Sequence, residues 1–200
     1  MINALHDRRT YFLKLLRGGV MLFQQSADFN PLFDDEHPAA RFVADCAFQF
    51  EVSRSLLACA DALPGKLDRT AITYFIKVVP AASVAHALFQ SEVAFPLLRR
   101  RHEGETISRW LDRLEEEHIE LSGVGEELVA QFHAVLNDES VDVEMLGYLM
   151  RNASERRRVH VEMEQAILAP LFPAVLAPVE RQGFVAWSKA HPWPLNGIER

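Results

Sequence analysis

The chain has 200 residues, 49% of them hydrophobic and 24% charged, with a formal net charge of −7 at pH 7. This length and composition predict one globular domain with a substantial core. The acidic balance argues against a dedicated nucleic-acid-binding protein, which needs a basic face to displace the counterions of the phosphates.

The compartment is indicated by the lack of export signals and by the two cysteines. No apolar run approaches the ~20 residues of a membrane-spanning helix, and the N-terminal residues lack the apolar region of a signal peptide. Cys46 and Cys59 lie 13 residues apart on one predicted helix, which separates them by ~20 Å and excludes a disulfide between them. We therefore expect a cytoplasmic protein with reduced thiols and no membrane partner.

Apolar residues recur at spacings of three and four along nearly the whole chain, which predicts helices throughout. An N-terminal helix is expected over residues 3–17. The first long helix starts near His37-Pro38, because proline suits the first helical turn, and ends near residue 63. The second covers about 68–101, and we expect Pro80 and Pro96 to kink or split it, because proline removes a backbone hydrogen bond.

Two more long helices are predicted over about 105–136 and 141–168, and a short one over about 179–190. Four long helices joined by short loops favour an all-α, up-down-up-down four-helix bundle with an extra N-terminal helix and a short C-terminal helix. The predicted organisation is a helical extension (1–29), the bundle (30–170) and a proline-rich tail with the short helix (171–200).

Four of the eight histidines fall one on each long helix: His37, His86, His118 and His160. Residues on antiparallel neighbours share a level when they lie equally far from the connecting turn. His118 and His160 each lie about 19 residues from their turn, and His86 and His118 lie about 13 and 14 from theirs. His37 matches less well, because it lies about 27 residues before the turn that follows its helix, whereas His86 lies about 20 residues after that turn. These counts predict histidines at one depth in the bundle, with His37 the looser member.

A carboxylate accompanies the last of these histidines, because Glu164 follows His160 by four residues. Side chains at this spacing lie on one helix face and can reach the same metal site. Histidine nitrogens combined with carboxylate oxygens suit iron or manganese, and bundle interiors host such sites.

Several segments of the chain, between about residues 30 and 190, resemble the motifs of hemerythrin-like (HHE cation-binding) domains. The segments are Asn30-Pro31-Leu32 with Glu36-His37, Phe95-Pro96-Leu97-Leu98 with Arg99-Arg100-Arg101, Glu117-His118, and Arg157 with His160-x-x-x-Glu164 through to Pro170. The resemblance implies a four-helix bundle of hemerythrin type that holds two irons through four histidines and two bridging carboxylates. It implies a protein that binds or senses dioxygen or nitric oxide, or handles iron, and it does not imply catalytic turnover.

One position departs from this pattern, because the chain has Gln90 where the family has a glutamate four residues after the second-helix histidine. A neutral amide cannot bridge two cations as a carboxylate does, and Glu115, three residues before His118, is the candidate substitute. The candidate ligands are therefore His37, His86, Gln90, Glu115, His118, His160 and Glu164, for one iron or two, with manganese as the other candidate metal. His6 is the rival to His37 if the 37–63 helix lies outside the core.

A second hypothesis follows from Gln90. A bundle that has lost a bridging carboxylate is expected to hold little or no metal and to act as an interaction or regulatory module, with a protein partner or a second copy of the chain. The arginine triplets 99–101 and 156–158 are interpreted as solvated helix faces.

Overall fold

A computed structural model describes residues 36–63, 65 and 68–192, and this part of the chain is helical without strands. Its helices are α1 (Pro38–Asp61), α2 (Arg69–Phe89), α3 (Phe95–Arg101), α4 (Glu105–Leu136), α5 (Val143–Leu168) and α6 (Pro178–Ala190). A π-helical turn, Gln90–Ala94, joins α2 to α3, and a 3-10 turn, Ala169–Leu171, follows α5. The predicted all-α class is confirmed, and the long helices begin and end close to their predicted bounds. The extension 1–29, with its predicted helix and His6, lies outside the described residues.

The four long helices pack against one another pairwise. α1 packs along α5 and α2 along α4, while α4 also contacts α5 and α1 contacts α2. Two clusters of buried apolar side chains fill the interior. One is centred on Phe48, Leu56, Phe75, Leu128, Phe132 and Met150. The other is centred on Phe42, Phe89, Phe95, Leu111, Leu114 and Leu168. Along their helices, His86, His118 and His160 lie between residues of one cluster and residues of the other.

Pro80 does not split the second long helix, so that part of the prediction is wrong. α2 runs without interruption from Arg69 to Phe89. Pro80 itself is exposed, whereas its neighbours Val78, Val79 and Ala82 are buried in the core. We attribute the continuity to this packing, which offsets the single backbone hydrogen bond that proline removes.

The regular α-helix is instead interrupted just before Pro96. Pro96 cannot donate a hydrogen bond to the carbonyl of Glu92, four residues earlier. The backbone widens into a π-helical turn, and the amide of Phe95 bonds to the carbonyl of Gln90. Because π-helical turns often occur at functional sites, the location of Gln90 at the start of this turn is relevant to the site described below.

α5 begins at an aspartate cap that gives a first testable prediction. The Asp142 carboxylate accepts hydrogen bonds from the backbone amides of Glu144 at 2.9 Å and Met145 at 3.1 Å. We expect Asp142→Ala to lower the free energy of unfolding by ~1 kcal/mol, because those amides lose their acceptor. Denaturant unfolding measures the change. Asp142→Asn is the control, since asparagine caps equally well, and an equal loss in both variants would contradict the assignment.

By length and composition alone, the helical stretch Arg69–Arg101 (33 residues) is long and apolar enough to cross a membrane. Of its most apolar segment of 18 residues, 39% is buried in the fold. The core helix of a globular protein passes the same test. Buried polar side chains on this stretch, His86 and Gln90, lie in the interior of the bundle. The stretch is therefore only weak support for a membrane span.

Candidate metal centre

Three histidines from three helices converge on one glutamate at the junction of the two apolar clusters. His86 comes from α2, His118 from α4, and His160 and Glu164 from α5. One potential ligand atom from each of the four lies within 4.8 Å of the other three. The Glu164 side chain is 0% exposed. A nitrogen-rich set with one carboxylate, closed off from solvent, can hold a divalent transition-metal ion.

The Glu164 carboxylate contacts all three histidines. Its Oε1 lies 2.9 Å from Nε2 of His160 and 3.3 Å from Nε2 of His118. Its Oε2 lies 3.2 Å from Nε2 of His86. His160 and Glu164 reach the same point because they are one helical turn apart on α5. All three imidazoles therefore present Nε2 toward one carboxylate.

Two of the imidazole rings each contact a further carboxylate through the nitrogen that faces away from Glu164. Asp45 of α1 lies 2.5 Å from Nδ1 of His86, and Glu117 of α4 lies 2.9 Å from Nδ1 of His160. A partner at Nδ1 fixes the orientation and tautomer of the ring and leaves Nε2 for a ligand on the other side. The third ring, His118, stacks on Phe95 with centroids 6.1 Å apart.

Burial and charge act in opposition on the titration of the cluster. Burial lowers the pKa of His86, but the negative charges of Glu164 and Asp45 outweigh it and raise the pKa to about 10. Burial would raise the pKa of Glu164, yet the charge of His86 and hydrogen bonds from the three histidines hold it well below its usual range. Burial lowers the pKa of His118. Without a metal the cluster is therefore a buried ion pair between His86 and Glu164.

Gln90 also belongs to this site. It is fully buried, and its Nε2 lies 3.3 Å from Nε2 of His86. Its Oε1 accepts no hydrogen bond from any described residue. A buried amide oxygen without a donor is costly in an apolar interior. After a flip of the amide, either the protonated ring of His86 or a bound cation would satisfy it.

His37 does not lie in the cluster. It caps α1, and its Nδ1 accepts a hydrogen bond from the amide of Ala39 at 3.1 Å. The turn-to-turn count had placed His37 about seven residues further from its turn than His86, and Asp45 lies eight residues after His37. Asp45 is accordingly the α1 residue that reaches His86. The difference of about seven residues in the count indicated that a residue near position 45, and not His37, lies at the level of His86.

Glu115, the candidate substitute for the missing carboxylate, also lies outside the cluster. Its carboxylate pairs with Arg99 at 3.3 Å, and its side chain is 42% exposed. The α4 carboxylate that touches the cluster is Glu117, which is two residues further along the helix and contacts His160. Glu117 belongs to the Glu-His pair of the resemblance, but the sequence had not identified it as a partner of His160.

Arg157 corrects the interpretation of residues 156–158 as a solvated face. Arg156 and Arg158 are ion-paired near the surface, whereas Arg157 is only 5% exposed. Its guanidinium donates to Oε1 of Gln49 and, at 2.9 Å, to Oγ of Ser83. Burial lowers its pKa to about 10, against the opposing charge of Asp45. A buried cation therefore lies one helical turn before His160.

The two carboxylates behind the imidazoles give a second prediction. We expect Asp45→Asn and Glu117→Gln each to weaken divalent metal binding by about 10- to 100-fold, because each loosens the hold on an Nδ1 atom. Competition against a chelating indicator measures the affinity. Glu116→Gln is the control, because Glu116 is exposed on the same helix and pairs only weakly with Arg113 at 3.9 Å. Unchanged affinity in both test variants would refute the positioning role.

No protein-family model, curated protein or solved structure matches the chain. The donor set therefore defines what the site can do. Three imidazoles and one carboxylate suit borderline divalent ions such as iron, manganese, cobalt or zinc.

Proposed function

We propose that the protein is a non-haem iron protein built on a hemerythrin-like four-helix bundle, which binds or senses dioxygen or nitric oxide, or handles iron. The observation that carries the proposal is the buried convergence of His86, His118, His160 and Glu164. The segments that resemble hemerythrin-like domains contribute His118, His160 and Glu164, and another of them begins nine residues after His86. We also propose a cytoplasmic location, with which the free thiols of Cys46 and Cys59 agree.

The surroundings of the cluster suit the binding of a small apolar gas. Phe89, Phe95 and Leu114 are fully buried in one apolar cluster, and the ring of Phe95 stacks on His118. Ferrous iron with an open coordination position supplies reactivity toward dioxygen and nitric oxide. The chain supplies the ligands, holds two of the rings through Asp45 and Glu117, and excludes bulk water.

Metal analysis tests the proposal directly. Protein expressed with added iron and purified without chelator is expected to contain iron, and ferrous protein is expected to change its absorption spectrum on addition of nitric oxide. His160→Ala should lose both properties. His133→Ala should keep them, because His133 is exposed near the end of α4. A folded wild-type protein that takes up no iron even after anaerobic reloading would overturn the proposal.

The alternative is a metal-free bundle that acts as an interaction or regulatory module, with a protein partner or a second copy of the chain. Two observations favour it. Gln90 stands in the place of a bridging carboxylate, and the buried charges of His86 and Glu164 already compensate each other at 3.2 Å. This alternative predicts that the folded protein has no affinity for iron.

A further inference from the structure

We infer that the cluster holds a single divalent cation, with Gln90 as an additional ligand, and not the pair of irons that the resemblance implies. The inference rests on the proposed metal-binding function and specifies how many ions the site takes. Four observations carry it: the number of donors, their spacing, the local charge and the buried amide of Gln90.

The described donors are too few for two ions. The resemblance implies four histidines and two bridging carboxylates, whereas three histidines and Glu164 converge here. The α1 residue at this level is Asp45, which lies behind His86 at its Nδ1 atom. The two nitrogens of an imidazole lie on different sides of the ring, so Asp45 holds the ring and does not share an ion bound at Nε2.

The spacing of the donors also fits one ion. Ligand atoms at ~2.1 Å from one cation lie at most about 4.2 Å apart. Two ions ~3.5–4 Å apart would instead require outer ligands that are separated by about 8 Å. In this cluster the four ligand atoms are all within 4.8 Å of one another. A small contraction closes them around one cation, whereas a second cation has no space among them.

The charge around the site balances one divalent ion better than two. Glu164 is the sole carboxylate among the described residues whose oxygens face all three Nε2 atoms. The nearby carboxylate of Asp45 is opposed by the buried guanidinium of Arg157, and Glu117 is paired with Arg113 at 2.9 Å. Apart from Glu164 and Asp45, no carboxylate of the described residues is buried, so a second cation would lose its hydration without a further anion to offset that loss.

Gln90 provides a neutral donor that fits this charge balance. Its side chain is fully buried against His86, and no described residue donates to its Oε1. The π-helical turn Gln90–Ala94 holds it at this position. A carbonyl oxygen can coordinate one cation without adding charge, but it cannot take the bridging role of a carboxylate.

The experiment is a titration of chelator-treated full-length protein with Co²⁺ under anaerobic conditions. Absorption in the visible range follows occupancy, and elemental analysis after gel filtration counts the ions. We expect saturation at one Co²⁺ per chain. Saturation at two, with both lost in His160→Ala, would overturn the single-ion inference and leave the proposed metal-binding function intact. Absence of Co²⁺ and Fe²⁺ binding in folded protein would overturn both.

The role of Gln90 has its own variants. Gln90→Leu, of similar volume, is expected to weaken Co²⁺ binding by about 10-fold and to shift the cobalt spectrum, because one ligand is lost. Ser91→Ala is the matched control, since Ser91 is the next residue of the same turn and is exposed. Circular dichroism and thermal unfolding establish that both variants are folded. Unchanged affinity and spectrum in Gln90→Leu would remove Gln90 from the ligand set.

Discussion

Replacing Glu164 by glutamine is expected to weaken divalent metal binding by more than about 100-fold. Loss of a residue that only hydrogen-bonds to a metal ligand already costs about 10- to 100-fold in affinity, and Glu164 is itself a proposed ligand. Among the residues that the structure describes, Glu164 is the one negatively charged side chain that touches all three histidines, at 2.9 to 3.3 Å. Glutamine keeps its size and removes its charge. Because the site is closed off from water, the missing attraction for a cation is screened little.

The measurement is competition for Fe²⁺ or Co²⁺ against a chelating indicator at fixed pH. Glu162→Gln is the matched control, because Glu162 is two residues away on α5, is 51% exposed and pairs with Arg158. We expect the control to bind metal as the wild-type protein does. Glu115→Gln should also be unaffected, since Glu115 pairs with Arg99 away from the cluster. Equal affinities for Glu164→Gln and wild-type protein would show that the ion binds elsewhere.

Replacing Arg157 by methionine is expected to lower the free energy of unfolding of the metal-free protein by about 3–5 kcal/mol, because two buried hydrogen bonds from a charged donor are lost, each worth about 1.5–3 kcal/mol. The substitution removes the donor to Gln49 and Ser83 and leaves the negative charge of Asp45 less compensated. Methionine fills part of the volume, so the loss should come mainly from charge and hydrogen bonds.

Denaturant unfolding in the presence of chelator gives the free energy without a contribution from metal binding. Arg156→Met is the matched control on the adjacent residue, where a half-exposed ion pair with Glu120 is worth at most about 1 kcal/mol. A double variant that adds Asp45→Asn to Arg157→Met should recover part of the loss, because both charges are then gone. Similar small losses in Arg157→Met and Arg156→Met would contradict a buried structural cation.

The helices and the shared depth of three histidines were predictable from local patterns. Apolar spacing and the residues at helix ends depend on a few neighbours along the chain, so α4 and α5 were predicted within about two residues. Counting from a turn works when both helices leave it regularly. That condition holds between α4 and α5, and His118 and His160 meet as expected, with ring centroids 4.9 Å apart.

Other features depended on which residues face one another across helices. Pattern alone made His37 the candidate from the first helix, but the packing of α1 brings Asp45 to His86 instead. It also made Arg157 one of three solvated arginines, whereas the contact of α1 with α5 buries it against Gln49.

Gln90 shows the same division between local pattern and packing. The resemblance implied a carboxylate at this position, where the sequence has an amide, and the fold places that amide in a π-helical turn beside His86. Spacing along one helix specifies which residues share a face, but the rotation of each helix against its neighbours is set by the packing of the whole core. Partners that lie 41 residues apart, as Asp45 and His86 do, are therefore determined only when the complete bundle assembles.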